Sequence, residues 1–96
     1  MFYLEEYDKL DDFIQNKAKQ YRFEYRKNGY AHLYLVKDDY MIRIIEKSKI
    51  EIFYKEEHKL YDKGILLLDL KQKKEIIELF IKMVCIFIKI SKYASI

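Results

Sequence analysis

Glycine, cysteine and histidine are scarce in this chain of 96 residues, and each scarcity excludes a kind of site. Two glycines leave too little permissive backbone for a glycine-rich phosphate loop, which argues against a nucleotide-dependent enzyme. A single cysteine, Cys85, cannot form an internal disulfide, so we expect a reducing compartment. His32 and His58 do not combine with Cys85 in a metal-ligand spacing, so we expect no metal site and no cofactor.

Targeting signals and membrane-spanning runs are also missing. Residues 1–6 lack the basic start and apolar run of a signal peptide. The apolar stretch Ile76–Ile90 covers roughly 15 residues where about 20 are needed to span a bilayer, and Lys82 and Lys89 interrupt it. We therefore expect a cytoplasmic protein with no membrane partner and no small-molecule substrate.

The residues that are present are typical of one globular domain over 1–96, with 51% hydrophobic and 36% charged residues. Lysine far outnumbers arginine, and there are ten tyrosines. This bias, together with the many isoleucines, suits an AT-rich genome such as that of a phage or another mobile element. The net charge of +3 is compatible with nucleic-acid binding without requiring it.

Hydrophobic periodicity predicts an α+β fold. Apolar residues at helical spacing indicate a first helix from about Leu4 to Gln20. Alternating residues then predict an antiparallel meander of four to five strands. The strands are expected at residues 21–26, 30–36, 40–46 and 50–54, with a short buried strand at 65–68 after a loop or hairpin at 55–64. A long apolar helix from Asp69 to Tyr93, capped by Asp69 and Gln72, should pack on the sheet.

Turn chemistry predicts the strand register. A two-residue turn at Asn28-Gly29 would pair Tyr25 with His32 and Phe23 with Tyr34. A turn at residues 38–39 pairs Leu35 with Ile42, and a three-residue loop at 47–49 pairs Ile44 with Ile52. One sheet face is then aliphatic and should take the C-terminal helix. The other face is rich in aromatic residues, and the sequence leaves open whether the N-terminal helix covers it.

The C-terminal helix has more apolar surface than one sheet can cover, because its polar residues fall within a stripe of about 100°. Its apolar arc has two flanks: Ile77, Ile81, Val84 and Ile88 form one, and Leu79, Met83, Ile86 and Ile90 form the other. One flank should meet the sheet and the other a protein partner or a second copy of the chain. The sequence does not decide which flank meets the partner, and we assign the partner to the flank of Ile77. The leading hypothesis is a small non-enzymatic interaction protein, either an inhibitor or a homodimer.

Nucleic-acid binding through the aromatic sheet face is the second hypothesis. Phe23, Tyr25 and Tyr34 would stack bases, while Arg43 on the same face, and Arg22 and Arg26 at its edge, would hold phosphates. The order of helix, antiparallel strands and helix resembles the double-stranded RNA-binding domain. Lys71, Lys73 and Lys74 occupy the place of that family's basic cluster, but the family's glycine-containing loop is missing.

A Mg²⁺-dependent nuclease is the third hypothesis. Asp69-Leu70-Lys71 follows an apolar run and is similar to the acidic-x-Lys signature of restriction-endonuclease-like nucleases. The resemblance implies that Asp69 binds Mg²⁺ and that Lys71 positions a water molecule. A second acid would come from Asp62, Asp38 or Asp39. The alternative is that Asp69 only caps the helix.

Overall fold

A computed structural model of the chain describes residues 2–29, 32–45 and 48–94, with side chains described from residue 9 to residue 93 in these ranges. It confirms the α+β fold, with a helix at each end of a five-stranded antiparallel meander in the order β1-β2-β3-β4-β5. The elements are α1 (Phe2–Tyr21), β1 (Glu24–Asn28), β2 (His32–Lys37), β3 (Tyr40–Ile45), β4 (Lys49–Tyr54), β5 (His58–Gly64) and α2 (Leu70–Ala94).

Both helices pack on the aliphatic face of the sheet, so the core lies between the sheet and one layer of two helices. α1 packs on β1 and α2, and α2 also packs on β3 and β4. The sheet contributes the predicted aliphatic residues, all of them buried: Leu33, Leu35, Ile42, Ile44, Ile50 and Ile52. α1 contributes Leu10, Ile14 and Ala18 to the same core. The opposite face of the sheet, called here the open sheet face, is covered by neither helix.

The register of β1 differs from the prediction. Asn28 pairs with His32, so three residues connect the strands, and Tyr25 lies opposite Leu35 instead of His32. The partner of Tyr25 is thus three positions further along β2 than predicted. Because side chains alternate between the two faces of a sheet, this odd shift turns every β1 side chain to the other face. Phe23 and Tyr25 therefore face the helices, and the aromatic face expected from the sequence is wrong at these two positions. Tyr30, where the second strand was expected to begin, lies outside the described residues.

The end of α1 explains this register. Arg22 adopts a left-handed conformation with φ of 61°, and the Phe23 amide donates to the Ala18 carbonyl at 2.8 Å. The chain thus turns directly from α1 into β1 and buries Phe23 in the core. Burying a phenylalanine contributes about 1.5–3 kcal/mol, which favours this register.

The fifth strand also lies elsewhere than predicted. β5 is His58–Gly64, paired with β4 across an irregularity at Ile52/Phe53. The hairpin alternative for residues 55–64 is thus confirmed, and the strand expected at 65–68 is wrong. In that segment Ile65 is buried, while Leu66 and Leu67 are exposed in the turn that leads to α2.

The start of α2 confirms the predicted capping box. The backbone N–H of Gln72 donates to Asp69 Oδ1 at 2.8 Å, and the backbone N–H of Asp69 donates to Gln72 Oε1 at 3.0 Å. These two bonds satisfy amide groups that have no partner within the helix. The helix then continues for 25 residues.

Candidate interaction surface

The outward face of α2 presents a continuous apolar surface, called here the outer stripe. Its six residues follow one another at steps of three and four: Ile76, Leu79, Met83, Ile86, Ile90 and Tyr93. Leu79, Ile86 and Ile90 are 51%, 54% and 59% exposed, and Tyr93 is 79% exposed. A 3–4 spacing keeps side chains on one line along a helix. The outer stripe therefore has the pattern of a helix-packing surface. In this chain four of its residues are exposed to solvent, whereas Ile76 and Met83 are half-buried against the core.

The flank that the sequence analysis assigned to a partner is in the core. Ile77, Ile81 and Val84 are fully buried, and Ile88 is 6% exposed. They cannot contact a partner in the folded chain, so that assignment is corrected. On the second apolar flank, Leu79, Ile86 and Ile90 are exposed and Met83 is half-buried against the core.

The position of α1 determines which flank is buried. Lys17 of α1 forms an ion pair with Glu78 of α2 at 2.5 Å, and the Lys74 ammonium lies 5.5 Å from the centre of the Phe13 ring. α1 thus contacts the polar side of α2, next to the core flank. Because the sheet and α1 occupy these two directions, the outer stripe points away from both.

Two leucines extend the apolar surface beyond the helix. Leu66 is 65% exposed and Leu67 is 97% exposed, directly before the cap residue Asp69. They add exposed apolar surface to that of the outer stripe, which alone exposes on the order of 500 Å² and reaches the size of patch that marks interaction sites on soluble proteins. The exposure of these leucines was not predicted, because a short apolar run is typical of a buried strand.

The two edges of the outer stripe differ in chemistry. At 100° per residue, Glu75, Lys82 and Lys89 follow one edge, and Phe80 and Phe87 follow the other. Phe80 is buried beside Tyr61, whose ring centre lies 5.4 Å away. Phe87 is half-buried and its ring lies 6.0 Å from that of Tyr40. One edge is therefore charged and the other is aromatic.

The open sheet face brings together part of the nucleic-acid constellation predicted from the sequence. Arg26, Tyr34 and Arg43 lie directly opposite one another on β1, β2 and β3. The His32 and Tyr34 rings are stacked at 6.2 Å. Phe23 and Tyr25 are on the helix side, and Arg22 lies in the connection between α1 and β1. The structure thus divides the predicted constellation between the two faces of the sheet.

Carboxylates neutralise the cations of the open sheet face. Arg26 pairs with Glu24 at 3.0 Å. Arg43 and Lys59 both contact Glu51, at 2.7 and 2.6 Å, and the Arg43 guanidinium lies 4.8 Å from the centre of the buried Phe53 ring. Each of these cations is therefore engaged within the sheet, which weakens the attraction of this face for phosphates.

Glu51 is the centre of this ion-pair cluster and is buried. Burial alone would raise the pKa of its carboxyl group, but hydrogen bonds from Lys59 and Arg43 outweigh burial and hold the pKa below its ordinary value. The cluster joins β3, β4 and β5. Its geometry is that of a structural contact that fixes the edge strand β5 to the sheet.

A second buried carboxylate, Asp11, joins α1 to β1. It accepts hydrogen bonds from the Tyr25 hydroxyl, from Lys27 Nζ at 3.1 Å and from Gln15 Nε2 at 3.3 Å. Burial raises its pKa, and these hydrogen bonds more than reverse the effect, so the pKa of Asp11 is lowered. The sequence analysis did not predict this contact, because it placed Tyr25 on the other face.

The residues of the nuclease hypothesis do not form a cluster of acids. Asp69 Oδ1 accepts a hydrogen bond from the backbone N–H of Gln72 and so caps the helix, and the Lys71 side chain is exposed. Asp38 and Asp39 lie in the turn between β2 and β3, beside a shallow cleft of about 260 Å³ that Tyr40 and Ser91 also line. Across the residues described, no three His, Cys, Asp or Glu side chains are grouped so that they could hold a metal ion.

Neither helix, as far as its residues are described, is long and apolar enough to cross a membrane. Comparisons of the chain with protein-family models, with curated proteins and with solved structures find no match.

Proposed function

We propose that this protein is a non-enzymatic interaction module that binds another polypeptide along the outer stripe of α2. The observation that supports this is the exposure of Leu79, Ile86, Ile90 and Tyr93 on one line of a well-packed helix. Water contact with such a surface is unfavourable by about 25 cal/mol per Å² of apolar area, so covering it provides a driving force for association.

The shape of the surface favours a helix as the binding partner. The outer stripe runs for 18 residues from Ile76 to Tyr93, and its 17 steps of 1.5 Å give a length of about 25 Å. It is one side chain wide, and its 3–4 spacing offers the alternating holes into which a facing helix inserts its own side chains. A partner in an extended conformation would need unpaired backbone N–H and C=O groups to bind, and the surface of a helix does not offer them.

Composition supports a finer version of this proposal. The excess of lysine, isoleucine and tyrosine suits a phage or mobile-element source, where a small protein of this kind acts as an inhibitor by covering a surface of its target. We propose that mode of action for the interaction module.

Nucleic-acid binding by the open sheet face is the competing function. Arg26, Tyr34 and Arg43 on one row support it. The ion pairs that hold Arg26 and Arg43 weigh against it, because each pair would have to break before a phosphate could bind. Binding to short labelled RNA and DNA at low and moderate salt measures this function, since phosphate contacts weaken steeply with salt.

Site-specific photocrosslinking in cells tests the interaction module. A benzophenone amino acid replaces Ile86 in one variant and Arg26, on the open sheet face, in the control variant. The side chains at both positions are more than half exposed. We expect a covalent protein adduct from position 86 and none from position 26. Absence of any adduct at position 86, or equal adducts at both positions, would contradict the proposal.

A further inference from the structure

We infer that the occupant of the outer stripe is a second copy of this chain, with the two α2 helices packed side by side in parallel. This inference rests on the proposed function and adds the identity and the orientation of the partner. It follows from the area of the exposed apolar surface, from the difference between its two edges, and from the place of Leu66 and Leu67.

The exposed area matches that needed by a symmetric dimer. A stable interface buries about 800 Å² on each partner. About two thirds of a homodimer interface is apolar, so the outer stripe, which exposes on the order of 500 Å² of apolar surface, matches the apolar part of such an interface. A two-fold axis lets the same patch serve on both partners.

The edges of the outer stripe favour the parallel orientation. In a parallel pair, each residue of the outer stripe meets its own copy, and the charged edge of one helix lies beside the aromatic edge of the other. Lys82 and Lys89 would then extend over Phe87 of the second copy, as Lys59 and Lys74 already do over Phe53 and Phe13 within this chain.

An antiparallel pair places like edges together. With Leu79 opposite Ile90 of the second copy, all six residues of the outer stripe still pair. The two charged edges then lie together on one side of the pair, where Lys82 of each copy comes beside Lys89 of the other. Like charges held this close destabilise a helix pair. The antiparallel pair therefore has the same apolar contact and a less favourable charged edge.

The loop before α2 gives a second, independent reason for the parallel orientation. Leu66 and Leu67 lie beyond the first turn of α2, and Leu67 is almost fully exposed. In a parallel pair, the two loops lie at the same end and cover each other. In an antiparallel pair, each loop extends past the end of the facing outer stripe, and its leucines stay in water.

Disulfide trapping of whole-chain variants distinguishes the two orientations. In a Cys85→Ser background, Leu79→Cys and Ile90→Cys are made separately and oxidised alone and as a mixture. We expect each variant to form a covalent homodimer, because identical positions are adjacent in a parallel pair. In the antiparallel pair, identical positions lie roughly 16 Å apart along the axis, so only the mixture would be trapped. That result would overturn the inferred orientation.

Light scattering tests the dimer without crosslinking. The wild-type chain is expected to show twice the mass of one chain, and Leu79→Lys with Ile90→Lys the mass of one chain with an unchanged circular dichroism spectrum. The matched control, Leu60→Lys on β5, replaces a leucine that is 48% exposed away from α2 and should remain a dimer. A wild-type chain that stays a single chain at every concentration overturns the inference.

The photocrosslinking described above then separates two failures. If position 86 forms adducts only with other proteins, the second copy is wrong and the interaction module stands. If the chain is a single chain, forms no adduct, and sediments with vesicles of anionic lipid, the surface is a membrane contact and both proposals fail.

Discussion

Ile81 and Ile86 provide a matched comparison of the two sides of α2. They are the same residue type on the same helix, so an alanine substitution changes helix propensity equally at both. Ile81 is fully buried between the helices and the sheet, whereas Ile86 is 54% exposed on the outer stripe. A difference between the two variants therefore measures packing alone.

The expected difference is large for a chain of this size. Truncating a fully buried isoleucine to alanine costs about 2–5 kcal/mol, because it removes buried methyl groups and leaves a cavity. Truncating Ile86 should change the free energy of unfolding by no more than about 0.5–1 kcal/mol. At about 0.05–0.15 kcal/mol per residue the whole chain has on the order of 5–14 kcal/mol of stability, so Ile81→Ala removes a substantial share of it.

Urea unfolding followed by circular dichroism measures both variants. At low protein concentration, where association contributes least, Ile81→Ala should lower the midpoint strongly and Ile86→Ala little. At high concentration the Ile86→Ala deficit should grow, because a dimer interface adds stability that depends on protein concentration. Equal losses for both variants at low concentration would refute the assignment of core and outer flanks.

Three further predictions concern the polar contacts. Glu51→Gln should cost about 1–3 kcal/mol at neutral pH. Because the folded pKa of Glu51 is lowered from 4.5, its contribution is complete above about pH 4.5 and is lost as the pH falls through the folded pKa, so wild type and variant should converge in acid when unfolding is measured against pH. Asp69→Ala should cost about 1 kcal/mol in thermal unfolding through loss of the helix cap. Tyr25→Phe should cost about 1–2 kcal/mol by removing the donor to buried Asp11, and Tyr34→Phe should cost less.

Each of these has a contradicting outcome. A Glu51→Gln variant whose stability falls with pH in parallel with wild type would show that the Glu51 pKa is not lowered by folding. An unchanged melting temperature for Asp69→Ala would mean that the capping bonds contribute nothing measurable. If Tyr34→Phe destabilised the chain more than Tyr25→Phe, the register of β1 would be wrong.

Local signals in the sequence were sufficient for the order of elements and for the cap of α2. Asp69 and Gln72 are three residues apart at the start of an apolar periodic run, and capping depends only on such neighbours. The turn at residues 38–39 likewise placed Leu35 opposite Ile42, as observed. These predictions are confirmed because the energies that decide them act between residues close in sequence.

The sheet register shows where local signals fail. The predicted pairing of Ile44 with Ile52 is wrong, since Ile44 pairs with Ile50, but an even displacement leaves the same residues facing the core. The shift in the partner of Tyr25, from His32 to Leu35, is odd and turns Tyr25 to the opposite face of the sheet. The odd displacement arises from the close connection between α1 and β1, which no turn motif in the sequence encodes.

The choice between the flanks of α2 depends on a tertiary contact. Ile81 and Ile86 have equal hydrophobicity, and both lie on the apolar arc of a helical wheel. The contact of Lys17 with Glu78 places α1 on one side of the helix, and that position decides which flank is enclosed. β5 was harder to predict for a related reason. Its strand pairing is accompanied by tertiary ion pairs, Lys59 with Glu51 and Asp62 with Lys49, and its charged residues leave the sheet edge in water.

The open sheet face and the outer stripe of α2 differ in how far the chain itself covers their charged and apolar side chains. On the open sheet face, Glu51 and Phe53 are already covered by Arg43 and Lys59, so this face has few unmet interactions. On α2, Leu79, Ile86, Ile90 and Tyr93 of the outer stripe are all more than half exposed. Association therefore gains most at α2. An interface there leaves the ion-pair cluster of the open sheet face intact, and the fold and the partner contact are stabilised by separate sets of residues.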